Sequence, residues 1–317
     1  MKEGYNPSTL VLDAPYVVDQ GPGLPKWKPA NYSKKFYGPS TMRLGVENSR
    51  NLMTARLALE LGMDSIREIT IRFGIRDDLP LLLSMSLGAG ETTLIRLVNA
   101  YAMIVNGGKK ITPTLIDRIQ DRRGKTIALS DNRKCTSCQS KSGWEGQLPP
   151  EIIDNRKSIT DPSSAYQMTS ILEGVIKRGT LKKLRDLKVP LAGKTGTTNK
   201  NTDTWFIGFS SNFVIGVYVG YDIPKPLGKR ETGSSAAVPI FGDFMKNYFN
   251  YHPDIPFRRP DGIRLIPVDS KTGIRANTIT DGVIEEAFKP GQIPENIKAL
   301  NYSEDKNLNS EVETSIY

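Results

Sequence analysis

Residues 193–200 read GKTGTTNK and follow the apolar run VPLA at 189–192. On a β-strand alternate side chains share a face, so Lys194 and Gly196 point one way and Thr195 and Thr197 the other. An ammonium, two hydroxyls and the N–H groups of a free strand edge suit a carboxylate and a carbonyl oxygen laid along the strand. Gly196 would let such a ligand approach the backbone closely. A solvated turn carrying a stray lysine would use the same residues. A second stretch, ENSRNLMT at 47–54, places Ser49 and Asn51 two apart at the start of a helix. Side chains there can project before the helical turn closes, although a serine N-cap needs no other role.

Both stretches depend on the elements around them. Residues 1–48 are rich in Pro, Gly, Tyr and Trp and read as an irregular extended segment. A helix is expected from Arg50 to about Leu61, with Ser49 as N-cap and Gly62 as the stop. A second runs from Thr92, its cap, to Val105 and ends at the glycines 107 and 108. Residues 111–129 suggest two strands around a turn at Arg123 and Gly124, and the polar stretch 130–158 an inserted loop. A third helix fits Pro162 to Arg178, capped by Asp161, with Gly179 beyond its end. Three strand signals follow, at 189–195, 204–210 and 213–221, the last two linked by Ser211 and Asn212. Strands in a row without helices between them argue for an antiparallel sheet. With a further helix at about 237–249, the fold class expected is α+β, an antiparallel sheet flanked by helices. Residues 1–250 would form the main domain. Residues 251–317 would be a C-terminal extension whose last run, NYSEDKNLNSEVETSIY, has the composition of a disordered tail.

Of the 317 residues 38% are hydrophobic and 24% charged, enough apolar content for a buried core. Lys and Arg (43) outnumber Asp and Glu (34), and the net charge of +9 favours an acidic partner. Nucleic acid is disfavoured, because no basic run carries interleaved aromatics. The first residues, MKEGYNPSTLVLDAP, contain no apolar core of an export signal. The most apolar stretch, 79–105, is broken by Gly88, Gly90, Glu91, Arg96 and Asn99, short of the ~18 apolar residues of a membrane span. Cys135 and Cys138 stand among Ser, Lys and Gly, and the sole histidine, His252, lies far off. Zinc normally takes four ligands, so a loop pair is expected, disulfide-bonded in an oxidising compartment. Neither metal nor cofactor is called for.

Ser-x-Asn at a helix start, followed far downstream by Lys-Thr-Gly on a strand, matches two of the three motifs of penicillin-recognising serine enzymes. The surrounding text LVLDAP, WKPANYSKKFYGPSTMRLGVENSRN, NAYAMIVNGGKKITPTLI, AYQMTSILEGVIKRGT and GKTGTTNKNTDTWFIGFS resembles the transpeptidase domain of class A penicillin-binding proteins. The resemblance covers about residues 4–250 and continues more loosely toward 295. It implies a D,D-transpeptidase that cross-links peptidoglycan stem peptides ending in D-Ala-D-Ala through a serine acyl-enzyme, and that β-lactams acylate at the same serine. By position it assigns Ser49 a proton shuttle toward the leaving amine, Asn51 the orienting of the substrate amide, and Lys194 the support of that proton path. Thr195 and Thr197 would hold the terminal carboxylate along the strand through Gly196. The Thr197 N–H would give half of the oxyanion hole. Arg50 replaces the Asp at the middle of the second motif, a position that points elsewhere.

The chain departs from the family at the first motif, Ser-x-x-Lys, expected just before the segment matching residues 4–15. The one such tetrad here, Ser303 to Lys306, lies in the tail. The resemblance therefore implies an incomplete N-terminus, with the nucleophile and its base absent from this chain. The partners implied are stem peptides, β-lactams and the protein's own upstream half with a membrane anchor. The parent would work at the periplasmic face of the inner membrane, usually with a glycosyltransferase domain. Two rival readings remain: a non-catalytic module that binds stem peptides or complements a separate half, and a D,D-carboxypeptidase or β-lactamase-like hydrolase. WKPANY and TDTWFIGFS favour the transpeptidase. For the cysteines the expectation is dispensability: in a chain with its upstream half restored, replacing both by serine should leave folding and penicillin reactivity intact. Stoichiometric zinc, lost in the double variant, would contradict it.

Overall fold

The computed structural model describes residues 4–19, 22, 23, 25–131, 133, 135, 138, 152–276 and 281–292. At its centre β5 (Ala192–Thr197), β6 (Asp203–Phe209) and β7 (Val214–Gly220) form an antiparallel sheet in the order β5-β6-β7. The apolar alternation of TWFIGF and VIGVYVG drives this pairing, because each strand offers residues to both faces. In register, Lys194, Ile207 and Gly216 share one face, and Thr195, Phe206 and Val217 the other. Helix α4 (Leu94–Val105) covers the first face, where Leu94 and Val98 lie over Gly216. Helix α6 (Val238–Phe249) covers the second, with Phe241 edge-on to Phe206 at 4.9 Å between ring centres. Helix α5 (Pro162–Lys177) packs on β5 and contributes Leu172, Val175 and Ile176 to the same core as Phe209 and Met245. The expected α+β architecture with helices flanking an antiparallel sheet is the one observed.

The N-terminal part is more ordered than its composition suggested. Strands β1 (Leu10–Asp13) and β2 (Gly38–Thr41) pair antiparallel and lead into a short helix α1 (Met42–Glu47). Helices α2 (Asn51–Leu61) and α3 (Met63–Arg72) follow, hinged at Gly62 with φ 77°. Six residues give too few turns for a periodic signal, so α1 escaped the reading of 1–48 as extended. Ser49 is not the cap of α2. It sits between α1 and α2 with φ 56°, and Arg50 occupies the cap position without a side-chain capping bond. Thr93 rather than Thr92 caps α4, accepting from the N–H of Arg96, while Thr92 Oγ1 donates to Ile75 O. Asp161 caps α5 as expected, accepting from Ser164 N at 2.8 Å.

Outside the central sheet, β3 (Arg118–Gln120) and β4 (Thr126–Leu129) form an exposed hairpin around Gly124. In the 130–158 stretch a disulfide joins Cys135 and Cys138, with Cα atoms 5.5 Å apart, and Cys135 bridges to Ile152. Beyond α6, β8 (Arg264–Asp269) and β9 (Val283–Phe288) make a two-stranded sheet that returns to α1. The expected disordered tail lies outside the described residues, as do Ser303 and Lys306.

Helix α1 reaches two glycines, Gly174 in α5 and Gly179 just beyond its end. A Cβ on Gly174 would overlap the Glu47 carboxylate, and one on Gly179 would overlap the Glu47 carbonyl. Backbone cannot give way as a flexible side-chain end can. Gly179→Ala should therefore cost about 1–3 kcal/mol or more as overpacking. Denaturant unfolding should show the loss, and an unchanged midpoint would mean that α1 can slide on α5.

Candidate functional site

The edge position of β5 is what makes a site there. One side of the strand is bonded to β6, and the other is unpaired in this sheet, leaving N–H and C=O groups to a ligand. Lys194 turns toward the α4 face and donates from Nζ to Ser49 Oγ at 2.6 Å and to Thr195 O at 3.1 Å. The residue keeps some exposed surface, but its ammonium is enclosed, and burial lowers its pKa to about 8. A lysine so tuned exchanges protons near neutral pH, which suits a relay through the hydroxyl it holds.

Thr195 and Thr197 lie on the opposite face of the same edge strand. There the tight turn Gly233–Ala237, which leads into α6, packs over β5. Thr197 Oγ1 accepts from Gly233 N at 3.0 Å, so its own proton remains to be donated to an anion. Gly233 is needed because a Cβ there would meet Thr195 Cβ at 2.9 Å and Trp205 O at 2.7 Å. Gly196 is exposed and pairs with Trp205. Past the strand end, Lys200 and Lys229 flank an open recess of about 380 Å³ with Asn201, Pro226 and Gly228. A recess of about 620 Å³ lies elsewhere, beside Arg259, Arg264 and Arg275 on the β8–β9 hairpin.

Ser49 and Lys194 thus meet, and Thr195, Gly196 and Thr197 continue along the strand. Asn51 sits in the first turn of α2, and its Nδ2 donates to Ala30 O at 2.9 Å. That bond ties the 25–31 segment to the helix. Beside it, buried Asn31 donates to Asp13 and to Lys35 O and accepts from Leu52 N. Arg50 faces away from Lys194, packed over Tyr37 at 4.1 Å and bonded to Ser40 Oγ at 2.7 Å. Asn31 and Asp13 went unremarked in the sequence. A lone Asn in a Pro-rich stretch carries no periodic signal, and only the fold brings it to α2.

The family model described as the penicillin binding protein transpeptidase domain matches residues 1–246. The chain belongs to the penicillin-binding protein transpeptidase family. It is 46% identical over 294 residues to penicillin-binding protein 1A of Rickettsia bellii (strain RML369-C), covering 92% of this chain and 37% of that protein. It is 34% identical over 266 residues to penicillin-binding protein 1A of Neisseria lactamica, covering 83% and 31%. The chain therefore spans about a third of the length of these curated relatives. Among solved structures, penicillin-binding protein 1A from Haemophilus influenzae aligns with TM-score 0.79 at 28% identity, over 93% of this chain and 46% of that one. PonA1 from Mycobacterium tuberculosis, in complex with penicillin V, shares the fold with TM-score 0.66 at 17% identity, over 88% and 71%.

The lowered Lys194 pKa has a stability signature. Folded and unfolded chains both carry the charge below pH 8, where the burial cost is fully present. Between about 8 and the ordinary lysine value near ~10.4 the unfolded chain binds more protons, so this group's contribution rises with pH. Urea unfolding of wild type and Lys194→Met across that window should show the variant's relative stability falling as pH climbs. A pH-independent difference would mean that Lys194 titrates as an exposed lysine.

Proposed function

We propose that this chain supplies the donor-binding and proton-relay half of a peptidoglycan D,D-transpeptidase that also binds β-lactams. The observation that carries the reading is the 2.6 Å contact from Lys194 Nζ to Ser49 Oγ, at a ligand-accessible strand edge lined by two threonines. A stem-peptide carboxylate laid along β5 would accept from Thr195 and Thr197, and the N–H of Thr197 would face the reacting carbonyl oxygen. Asn51 would orient the substrate amide from the start of α2. The positive net charge and the lysine-flanked recess at the strand end favour an anionic ligand.

Acyl transfer then divides among the residues. A serine attacks the penultimate D-Ala carbonyl, an ester C–O bond forms, and the C–N bond to the terminal D-Ala breaks. Ser49 passes a proton to the departing amine and Lys194 resupplies it, which its lowered pKa permits. An amine of a second stem attacks the ester and restores the serine. Ser49 stands on the leaving-group side, so the attacking serine and its base are assigned to residues outside 1–317. The extent of the relatives beyond this match leaves room for them. The working place proposed is the periplasmic face of a membrane. Among the described residues no helix is long and apolar enough to cross one.

Two measurements test this. Residues 1–317 alone should give no covalent adduct with a fluorescent penicillin on a denaturing gel, because effective molarity collapses without a positioned nucleophile. An adduct mapped within 1–317 would overturn the assignment, and reversible binding alone would favour the non-catalytic rival. In a chain extended upstream to include the serine, Thr197→Val should slow acylation roughly 10-fold to 100-fold, the effect of losing a hydrogen bond to a charged group (~1.5–3 kcal/mol). Unchanged acylation would make Thr197 a turn residue.

A further inference from the structure

Ser49 holds an uncommon backbone conformation for a residue with a Cβ, φ 56°. Such a residue persists only where its surroundings over-determine it. Its N–H bonds to Val46 O, and Arg50 N to Gly45 O, so its place is set by the end of α1. Helix α1 has six residues and cannot stand by its own hydrogen bonds. What holds it comes from two directions. From α5 and the residues that follow it, Ser170 accepts twice from Arg43, Arg178 donates to Glu47 Oε1 at 2.6 Å, and Thr180 N donates to Glu47 O. From the C-terminal hairpin, Ser270 O accepts from the capping Thr41 hydroxyl at 2.6 Å, and Lys271 O from Thr41 N at 3.2 Å. Glu286 on β9 binds the Arg43 guanidinium through both oxygens, one at 2.6 Å to Nη2 and the other at Nε.

We infer that Glu286, outside the residues 1–246 that the family model matches, is a positioning residue that sets Ser49 against Lys194 through Arg43 and Glu47. The inference rests on the reading of the Ser49–Lys194 pair as the proton relay. The path is short and closed to water. Arg43, Glu47 and Glu286 are all 2% exposed or less, and Arg43 also reaches Glu47 Oε1 at 3.2 Å. Without the Glu286 charge, the buried Arg43 must admit water or lean further on Glu47. Glu47 is the last residue of α1, two before Ser49, and it is shared with Arg178. Any turn of its carboxylate toward Arg43 shifts the segment that presents the Ser49 hydroxyl. The hairpin thus does more than add stability: it loads the same helix end that carries the relay serine.

The test follows Lys194 itself, in residues 1–317, by competitive acetylation across pH with mass-spectrometric readout. Wild type should titrate at about 8. Glu286→Gln, which keeps the shape and removes the charge, should move that midpoint toward the ordinary lysine value as Ser49 withdraws and water reaches the ammonium. Glu286→Asp keeps the charge but retracts the carboxylate by one C–C bond, about 1.5 Å, and should give a smaller shift in the same direction. It carries the test if the Gln variant fails to fold. A folded variant that loses thermal stability while Lys194 still titrates at about 8 would reduce Glu286 to a structural role and overturn the inference. The functional reading fails separately: Ser49→Ala and Lys194→Ala in the upstream-extended chain would then leave penicillin acylation unchanged, whatever Lys194 does in the Glu286 variants.

Discussion

The guanidinium of Arg43 is buried, and a charge in that position must find its counterions inside the protein. Burial opposes its ionisation, but Glu286 and Glu47 outweigh that and hold its pKa above the ordinary arginine value. Three elements far apart in sequence must therefore meet at one point: α1 with Arg43 and Glu47, α5 with Ser170, and β9 with Glu286. A buried ion pair adds little net stability over apolar packing, yet losing one partner is costly. Its effect here is on geometry. It gathers on α1, whose last residue, Glu47, stands two before Ser49.

The second constraint is the free edge of β5. Because β6 occupies only one side, the strand can hold a ligand by its backbone, and its two faces offer different chemistry. The α4 face carries the enclosed ammonium of Lys194, and the α6 face carries two threonine hydroxyls. A ligand laid along that edge would meet both faces, which one flat surface could not offer. The tight turn at Gly233 closes over the threonines only because glycine leaves room, so the loop before α6 belongs to the site as much as the strand does.

The larger recess on the β8–β9 hairpin contains three arginines and one glutamate. Its lining includes neither Lys194 nor the Ser49 and Thr195 that Lys194 contacts, so cavity size is a poor guide to chemistry in this fold. Small open surfaces near a buried lysine and a free strand edge carry more.

Local pattern was enough to read the central sheet, helices α2, α4, α5 and α6, the Asp161 cap and the Lys-Thr-Gly strand. Their signals are periodic or punctuated: alternation in TWFIGF, Asp161-Pro162 at a helix start, Gly62 at a stop. The pairing of Ser49 with Lys194 was expected from motif resemblance, while its 2.6 Å geometry belongs to the fold. Ser49 looked like a helix cap because cap preference is local, whereas its left-handed backbone is imposed by α1, a helix too short to announce itself. The bond from Asn51 Nδ2 to Ala30 O likewise belongs to the fold, since residue 30 lies outside any local pattern around the helix. Glu286 sat in a stretch that composition assigned to an extension, and nothing local marks an acid whose partner lies at residue 43. The sequence by itself determined which segments become strand and helix, since those choices depend on neighbours a few residues away. Tertiary structure alone decided which buried charges meet, because that depends on desolvating residues hundreds of positions apart.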